Sequence, residues 1–576
     1  MDTTPVCWSK LRFKTSFGRI NSFSDGKKAL LQVFSKPWNY NKNPIMKYHV
    51  FLALITLSIW TPCYPITSPK LEGGIELIGG MKKKRNIKPT DEHIYYAELK
   101  NGMAVLGQVQ QIGIDLVIDV TDPNGHQIKR LDSPNGESGP ELIDFTALKD
   151  GKYQFIVRSL DQDVAEGSYE LEVQEILSVF SNARRKAKQE LPTSTLFRLW
   201  EESFTGEDAI EAFISNQPER HIIESIDGDD EHMLVTYFCQ PGKNTEYVML
   251  SGGPDFMGLR FQRLAKTSLY YVTQRVPKDA WFNYGFNYFK LYQAGSQGEV
   301  VYRDVEHAYD GTLRMPNAPQ AHYSRVKPET VKGKLEQKVL SSEFMNEERI
   351  ITVHTPAAYA PQSHHELLII FDGESYGGRT GRGVRIPAPT ILDNLNAERK
   401  IVPAVTILVW NMGKRSKDLI SDSFAAFISK ELIPWVRENY AIKTSASAVT
   451  LAGSSRGGFA ASQIAFKYPQ LIGKVLSQSG AYYINGTEKE NHWIYPETEG
   501  KLIKAYKNSA SLPIRFYMDI GLYDAGASML GMNRAFRDVL QAKGYDLDYR
   551  EFKGGHSYVN WNVTFADGLM SLLGND

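Results

Sequence analysis

Residues 449–468 read VTLAGSSRGGFAASQIAFKY. An apolar run ends at Ala452, the pentapeptide Gly-Ser-Ser-Arg-Gly follows at 453–457, and a helix-forming run begins at Phe459. A Gly-x-Ser-x-Gly pattern between a buried strand and a helix places its serine on a sharp, strained turn with the hydroxyl exposed beyond the sheet. The pattern therefore predicts that Ser455 is a nucleophile, and the alternative is a glycine-rich packing turn.

The segments around this turn alternate between strand and helix. Continuous apolar runs at 366–371 and 405–410 are typical of parallel strands that are covered on both faces. Residues 421–440 carry apolar side chains at a period of 3.6, which predicts a helix. Strands and helices in this alternation predict an α/β domain.

A serine hydroxyl needs a base that takes its proton, and with this turn the chain order is serine, acid, histidine. The two histidines after Ser455 are His492 and His556. His556 follows two glycines in a loop between a strand at 548–552 and a terminal helix, so it is the predicted base. His492 lies in a polar insertion at 485–499 and is predicted to be a surface residue, with a substrate contact as the alternative.

The acid that orients the histidine is expected in the loop after the preceding strand. The strand predicted at 514–520 runs into Gly-Leu-Tyr-Asp, which ends at Asp524. Asp524 is the predicted acid, and Asp519, still within the strand, is the alternative. Asp548 is predicted to be a solvated strand residue.

Acyl transfer also needs two backbone N–H donors for the oxyanion. One is predicted at Arg456, the residue after the nucleophile, and the other at Gly373 or Glu374, in the loop after the 366–371 strand. The glycine-rich loop that follows is predicted either to receive an anionic substrate or to form a solvated surface. Its arginines are Arg379, Arg382 and Arg385. No metal or cofactor is expected.

Two strand-rich segments precede the α/β domain. In both, short alternating strands between turn signals predict a β-sandwich. Dense aromatics between Tyr270 and Tyr292 are predicted to form the core of the second sandwich, with a minority of them facing a ligand. The predicted layout is a leader at 1–68, a β-sandwich at 69–178, a helical connector at 179–216, a second β-sandwich at 217–333 and the α/β domain at 334–576.

Composition excludes several classes of protein. The 576 residues include 66 Lys plus Arg and 66 Asp plus Glu, and this zero net charge argues against a nucleic-acid-binding protein. The three cysteines share no Cys-x-x-Cys spacing, which excludes a disulfide framework and a cysteine-built zinc site.

The leader carries a targeting pattern. A short basic segment, the apolar run Val50 to Trp60 and a Thr-Pro breaker predict a signal peptide that starts at Met46, and therefore a periplasmic or secreted location. The run is too short to span a hydrocarbon core of ~30 Å, so no stable membrane span is expected. The alternative is a buried helix in a cytoplasmic protein.

Several stretches resemble the enterochelin (enterobactin) esterases of the esterase D group of α/β-hydrolases. In the α/β domain they are LAGSSRGGFAASQIAFKYPQLIGKVLSQSGAYY, FDGE, TILDNLNAERKIVPAVTILV and SKELIPWVRENY. Upstream, MLSGGPDFMGLRFQRLAKTSLYYVTQRVPKDAWFNYGF and MPNAPQ are similar to the immunoglobulin-like N-terminal domain of those esterases. The sandwich at 69–178 lies outside this resemblance and is similar to the pre-peptidase C-terminal modules of secreted bacterial hydrolases.

The predicted fold is two β-sandwich domains followed by an α/β domain, and the resemblance implies that the last of these is an α/β-hydrolase domain. It also implies that Ser455, His556 and Asp524 act as a triad that hydrolyses ester bonds of a catecholate siderophore, a small molecule, and so releases iron. Arg415 begins Arg-Ser-Lys-Asp-Leu where the family tends to have Arg-x-x-Glu-Leu, and it is a further candidate for substrate binding. The alternatives are an esterase for feruloyl or acetyl esters of polysaccharides or other small esters, and a non-catalytic secreted binding protein.

Overall fold

The computed structural model describes residues 73–255, 258–292, 302–377, 384–485 and 499–575. The chain divides into two compact units, of which the first ends at Leu177 and the second begins at Ser178. The predicted leader lies outside the described residues, as do Arg379, Arg382 and His492. Within the described ranges, no helix is long and apolar enough to cross a membrane. No cluster of three or more His, Cys, Asp or Glu side chains in those ranges is arranged to hold a metal ion.

The first unit, over residues 73–177, is built from two β-sheets. Its strands are β1 (Ile75–Glu76), β2 (Lys82–Ile87), β3 (Glu92–Leu99), β4 (Ala104–Ile112), β5 (Leu116–Thr121), β6 (Gln127–Leu131), β7 (Ser138–Thr146), β8 (Gly151–Ser159) and β9 (Gly167–Leu177). The sheets have the orders β1-β3-β8-β5-β6 and β2-β9-β4-β7. Alternate residues of β8 point inward, namely Tyr153, Phe155 and Val157, and they belong to one apolar core with side chains from both sheets.

The second unit begins with three helices and a second pair of sheets. The helices are α1 (Val179–Glu190), α2 (Ser194–Glu202) and α3 (Asp208–Asn216). The strands are β10 (His221–Ser225), β11 (His232–Cys239), β12 (Thr245–Ser251), β13 (Leu259–Arg260), β14 (Gln262–Arg263), β15 (Tyr270–Pro277), β16 (Trp281–Tyr292) and β17 (Tyr302–Arg314). The sheets have the orders β10-β11-β15-β14 and β13-β12-β16-β17. The helices share an apolar cluster with Phe238 and Tyr271 of the first of these sheets.

The C-terminal part is an α/β domain. Its strands are β18 (Lys334–Ser342), β19 (Glu347–Thr355), β20 (Glu366–Ile370), β21 (Ala404–Val409), β22 (Val449–Ser454), β23 (Lys474–Gln478), β24 (Arg515–Gly521) and β25 (Leu547–Phe552). Its α-helices are α4 (Ala388–Ala397), α5 (Arg415–Asp418), α6 (Asp422–Ala426), α7 (Ile433–Asn439), α8 (Arg456–Lys467), α9 (Lys501–Asn508), α10 (Met532–Ala542) and α11 (Tyr558–Leu573).

These strands form one sheet in the order β18-β19-β21-β20-β22-β23-β24-β25. The strands from β21 to β25 in this order pair in parallel, whereas β18 and β19 are antiparallel. Strand β20 shows why its sequence is continuously apolar: Leu367 and Ile369 belong to the core on one face, and Leu368 and Ile370 to the core on the other. The prediction of a multidomain chain with a sheet-rich N-terminal region and a C-terminal α/β domain is confirmed.

The helix predicted over 421–440 is interrupted. A π-helical turn, Phe427–Leu432, separates α6 from α7. Pro434, at the start of α7, has no N–H and cannot continue a regular α-helical hydrogen-bond ladder, so the change of register lies directly before it. The apolar period that predicted the helix does not reveal such a turn, because all three pieces bury the same face.

Candidate active site

Ser455 lies between strand β22 and helix α8, at the turn that the sequence predicts. Its backbone has φ 56° and ψ −119°, a conformation that costs a residue with a side chain about 1–3 kcal/mol. Backbone hydrogen bonds hold it there. The Ser455 N–H donates to the Gln478 carbonyl at 2.8 Å, and the Ser455 carbonyl accepts from the N–H groups of Phe459 and Ala481 at 3.1 and 3.0 Å. The surrounding structure thus maintains the strained turn.

The glycines beside Ser455 allow strand and helix to approach each other. A Cβ atom on Gly453 would lie 2.6 Å from the carbonyl carbon of Gly457, closer than such atoms come. Ser454, the preceding serine, is fully buried, whereas Ser455 is half-buried. Of the two serines, Ser455 is therefore the one whose side chain a substrate can reach.

His556 and Asp524 are hydrogen-bonded to each other. Nδ1 of His556 lies 2.9 Å from Oδ2 of Asp524. A carboxylate only accepts hydrogen bonds, so Nδ1 carries a proton and Nε2 of the neutral ring is left as an acceptor, which is the arrangement that a general base needs. Asp524 is 2% exposed, and its Oδ1 accepts from the Ala525 N–H at 2.7 Å. The His556 ring stands edge-on to the Trp561 indole, with 4.8 Å between centroids.

The topology explains why residues that are far apart in the chain share this region. Ser455 follows β22, Asp524 follows β24 and His556 follows β25, and these strands are parallel members of one sheet. The carboxyl ends of parallel strands lie at the same edge, where ligands bind in open α/β sheets.

Asp519, the alternative acid, occupies a different environment. It lies within β24 and is completely buried. Burial raises the pKa of its carboxyl to about 7. Asp548 is half-buried and pairs with Arg550 at 2.9 Å. Among these three aspartates, Asp524 is the one that the structure brings to the imidazole.

One of the two candidates for the second oxyanion donor is wrong. The Gly373 N–H donates to the Val409 carbonyl at 2.8 Å, so it is engaged in the extension of the β20–β21 pairing. Gly373 is needed for another reason, since a Cβ there would lie 2.7 Å from the carbonyl carbon of Leu408. The N–H of Glu374 remains the candidate. Arg456, the candidate for the first donor, is the first residue of α8.

Arg415 connects the two loops that carry these candidate donors. Its guanidinium donates to both oxygens of Asp372, at 2.6 and 2.7 Å, and to the Ser454 carbonyl at 3.3 Å. Asp372 is 1% exposed and also accepts from Nδ2 of Asn411 at 2.7 Å. The contacts of Arg415 thus serve to hold the loop after β20 against the turn at Ser455, with about a third of the Arg415 side chain still exposed.

Arg385 is the one arginine of the glycine-rich loop that the structure describes. Its side chain is exposed, and its backbone N–H donates to the Ser375 carbonyl at 2.8 Å. The role proposed for Arg379 and Arg382 remains a prediction, because both residues lie outside the described ranges.

A buried polar network beneath Ser455 was not predicted. The Tyr376 hydroxyl donates to Oε1 of Gln478 at 3.0 Å, and Nε2 of Gln478 donates to the Trp561 carbonyl and the Thr564 hydroxyl at 3.0 and 2.7 Å. Gln478 thereby joins strand β23, which lies beside β22 and Ser455, to the helix that follows His556. The strand sequence KVLSQ has only two apolar residues, so it carries no clear signal that its last residue, Gln478, is buried.

Comparisons with known proteins agree with an ester-hydrolysing chain. Residues 342–572 match the Esterase family, described as "Putative esterase". The uncharacterized protein YjcH of Bacillus subtilis (strain 168) is 24% identical over 255 residues, which cover 42% of this chain and 98% of that protein. The iron(III) enterobactin esterase of Escherichia coli (strain K12) is 24% identical over 268 residues, or 45% of this chain and 62% of that protein.

The fold also has a solved counterpart. The crystal structure of ferric enterobactin esterase from Salmonella typhimurium covers 63% of this chain and 98% of its own, with a TM-score of 0.50 and 20% identity. Together, the family match and the curated relatives support a carboxylic ester hydrolase.

Proposed function

We propose that this enterochelin esterase-like chain is a serine esterase that cleaves ester bonds of a catecholate siderophore and so releases its iron. The observation that carries the proposal is the hydrogen bond of 2.9 Å between His556 and Asp524, at the sheet edge that also bears Ser455 on its strained turn. A nucleophilic serine, an imidazole base and a carboxylate that holds the imidazole are the groups that acyl transfer from an ester requires.

In the proposed mechanism, Oγ of Ser455 attacks the ester carbonyl while Nε2 of His556 takes the hydroxyl proton. Asp524 stabilises the imidazolium through Nδ1 and is not itself protonated. The backbone N–H groups of Arg456 and Glu374 stabilise the oxyanion. His556 then protonates the leaving alkoxide, and an acyl group remains on Ser455. Water, deprotonated by His556, hydrolyses this acyl-enzyme and restores the serine hydroxyl.

The substrate class is proposed from relatives and from charge. Curated relatives from Dickeya dadantii and Escherichia coli are named as iron(III) enterobactin esterases, although the matches span only 54% and 62% of their lengths. A ferric catecholate is anionic, and the exposed Arg385 supplies positive charge near the candidate oxyanion loop. The Arg379 and Arg382 side chains are proposed to add to this charge.

A periplasmic or secreted location is part of the proposal. It rests on the pattern from Met46 to Trp60, a short basic segment and an apolar run before a Thr-Pro breaker. Mass spectrometry of the mature N-terminus tests it: a start downstream of Trp60 supports export, and an intact Met46 segment contradicts it.

Replacement of Ser455 tests the chemistry. We expect Ser455→Ala to lower kcat for a small activated ester by a factor on the order of 10⁶, as in other triad enzymes. Ser454→Ala is the matched control, because it removes a neighbouring hydroxyl that is fully buried, and we expect it to retain kcat within tenfold. An unchanged rate in Ser455→Ala would overturn the proposal.

A substrate panel tests the siderophore. Turnover of a ferric enterobactin-type trilactone, with little turnover of methyl ferulate or acetylated xylan, is the expected result. Preference for the feruloyl or acetyl esters would reassign the substrate and leave the chemistry in place. No turnover of any ester by a folded protein would favour a binding function.

A further inference from the structure

The second β-sandwich contacts the loop that carries the candidate base. The backbone N–H of Trp281, the first residue of β16, donates to the Lys553 carbonyl at 3.0 Å. Lys553 precedes His556 by three residues and also forms an ion pair with Asp279 at 2.8 Å. An exposed ion pair of this kind contributes little to stability, so the loop is held mainly by the buried contacts next to it.

Side chains cross in both directions between the sandwich and the α/β domain. Trp281 does not enter the core of its own sandwich, as the sequence predicted for this group of aromatics, but packs in the α/β core, with its ring 5.5 Å from that of Phe552. In return, Tyr523 packs against the sandwich core, edge-on to Phe282 at 5.4 Å. Tyr523 directly precedes Asp524, so the sandwich contacts the loops of both the candidate acid and the candidate base.

Asn560 joins these elements through its side-chain amide. Its Oδ1 accepts from the N–H of Gly555, the residue before His556, at 3.1 Å. Its Nδ2 donates to the Trp281 carbonyl at 2.6 Å. Asn560 is completely buried, and both ends of its amide are therefore used on backbone groups.

The loop before His556 is packed closely against its neighbours at Gly554. A Cβ atom on Gly554 would lie 2.1 Å from Nδ2 of Asn560 and 2.8 Å from the Trp281 carbonyl oxygen. On its other side, the Gly554 carbonyl accepts from the Tyr523 N–H at 2.9 Å. The loop is thus enclosed between the acid loop, Asn560 and the first residue of β16.

We propose that Asn560 is a positioning residue that fixes the loop before His556 against the first residue of strand β16, and that the second sandwich therefore helps to place His556 in the active site. The inference rests on the proposed serine esterase mechanism. The His556 side chain is 37% exposed, so its placement depends on few contacts. A misplacement of about 1 Å costs an enzyme on the order of 10²-fold in rate.

The first experiment compares Asn560→Ala with Asn394→Ala in the full chain. Asn394 is a matched control: it is 1% exposed and its Nδ2 donates to the backbone carbonyls of Tyr323 and Arg325, both at 2.8 Å, without contact to the catalytic loops. We expect Asn560→Ala to lower kcat by about 10- to 100-fold with KM within twofold. We expect Asn394→Ala to keep kcat within twofold of the unsubstituted protein, even if its melting temperature falls as much as that of Asn560→Ala.

The second experiment disturbs the sandwich side alone. Phe282 and Phe261 are buried in the same sandwich core, but Phe282 contacts Tyr523, whereas Phe261 packs on Phe286. Phe282→Leu is expected to lower kcat by about tenfold, while Phe261→Leu leaves it unchanged within twofold. Equal effects of the two substitutions would show that the sandwich acts only through general stability and would overturn its part in the proposal.

Labelling of Ser455 by a fluorophosphonate supplies a readout that is independent of substrate binding. The rate of labelling, normalised to folded protein, should fall in Asn560→Ala and Phe282→Leu by the same factor as kcat, because Ser455 needs His556 for activation. A wild-type labelling rate in folded Asn560→Ala would overturn the positioning role. Failure of the esterase proposal looks different, since the unsubstituted protein would then not turn over esters in a Ser455-dependent way.

Discussion

The two β-sandwiches have similar architectures and different relations to their surroundings. The core of the first is formed by side chains between Ile75 and Ile176, and its contacts make it a compact unit of its own. The second gives Trp281 to the α/β core and receives Tyr523 against its own. The exchanged aromatics thus distinguish a sandwich that is a structural part of the α/β domain from one that forms a unit of its own.

This contrast predicts where substitutions change turnover and where they change only stability. The largest effect is expected for Asp524→Asn, which keeps the size of the side chain but favours the wrong tautomer of His556. We expect kcat to fall by a factor of about 10⁴. Steady-state kinetics on a small ester check it, with a circular dichroism spectrum as the control for folding. A loss below tenfold would remove Asp524 from the proposed triad.

A smaller loss of activity is expected when the contacts of Arg415, which join the two candidate oxyanion loops, are weakened. Arg415→Lys keeps the charge but cannot make the paired hydrogen bonds to both oxygens of Asp372 and the bond to Ser454. We expect kcat/KM to fall by about 10- to 100-fold, less than the loss of about 10²- to 10³-fold for a removed oxyanion donor, because the backbone donors themselves remain. Lys417→Ala, on the exposed side of the same short helix, is the control and should leave it unchanged.

Asp519→Asn should affect stability more than turnover. The pKa of Asp519 in the folded protein, about 7, lies above its usual value of 3.8, so the folded state binds a proton more tightly than the unfolded state. The free energy of unfolding therefore falls as pH rises from about 4 to about 7 and stays lowered above that. Asparagine does not titrate, so the variant does not lose stability in this way. The Tm of the variant minus that of the unsubstituted protein should therefore increase from pH 4 to pH 8. A constant difference in Tm would contradict it.

The smallest effect on turnover is expected in the first sandwich. Phe155 is 1% exposed in that core, and Phe155→Leu should destabilise this unit by about 1–3 kcal/mol. Calorimetry should show one transition lowered in temperature, while kcat for a small ester stays within twofold. A parallel loss of turnover would mean that the first sandwich is not self-contained.

The order of strands, helices and the candidate residues was predictable, because apolar runs and the Gly-x-Ser-x-Gly turn are local signals. Asp524 was favoured over Asp519 on loop position alone, and the hydrogen bond to His556 agrees with that choice. Gly373 was not separable from Glu374, since the partner of a backbone N–H depends on strand pairing between distant residues. Trp281 and Asn560 were missed for the same reason: an aromatic residue and an asparagine carry no sequence mark of the domain that they contact.

The positive φ of Ser455 affects which substitution is best for preparing an inactive protein that still binds substrate. Alanine at this position keeps the unfavourable φ of 56°, whereas glycine adopts positive φ at little cost. An inactive variant made with glycine should therefore melt at a higher temperature than one made with alanine. The strain at position 455 is thus the free-energy cost of placing a side chain on this turn, and a glycine there would remove it.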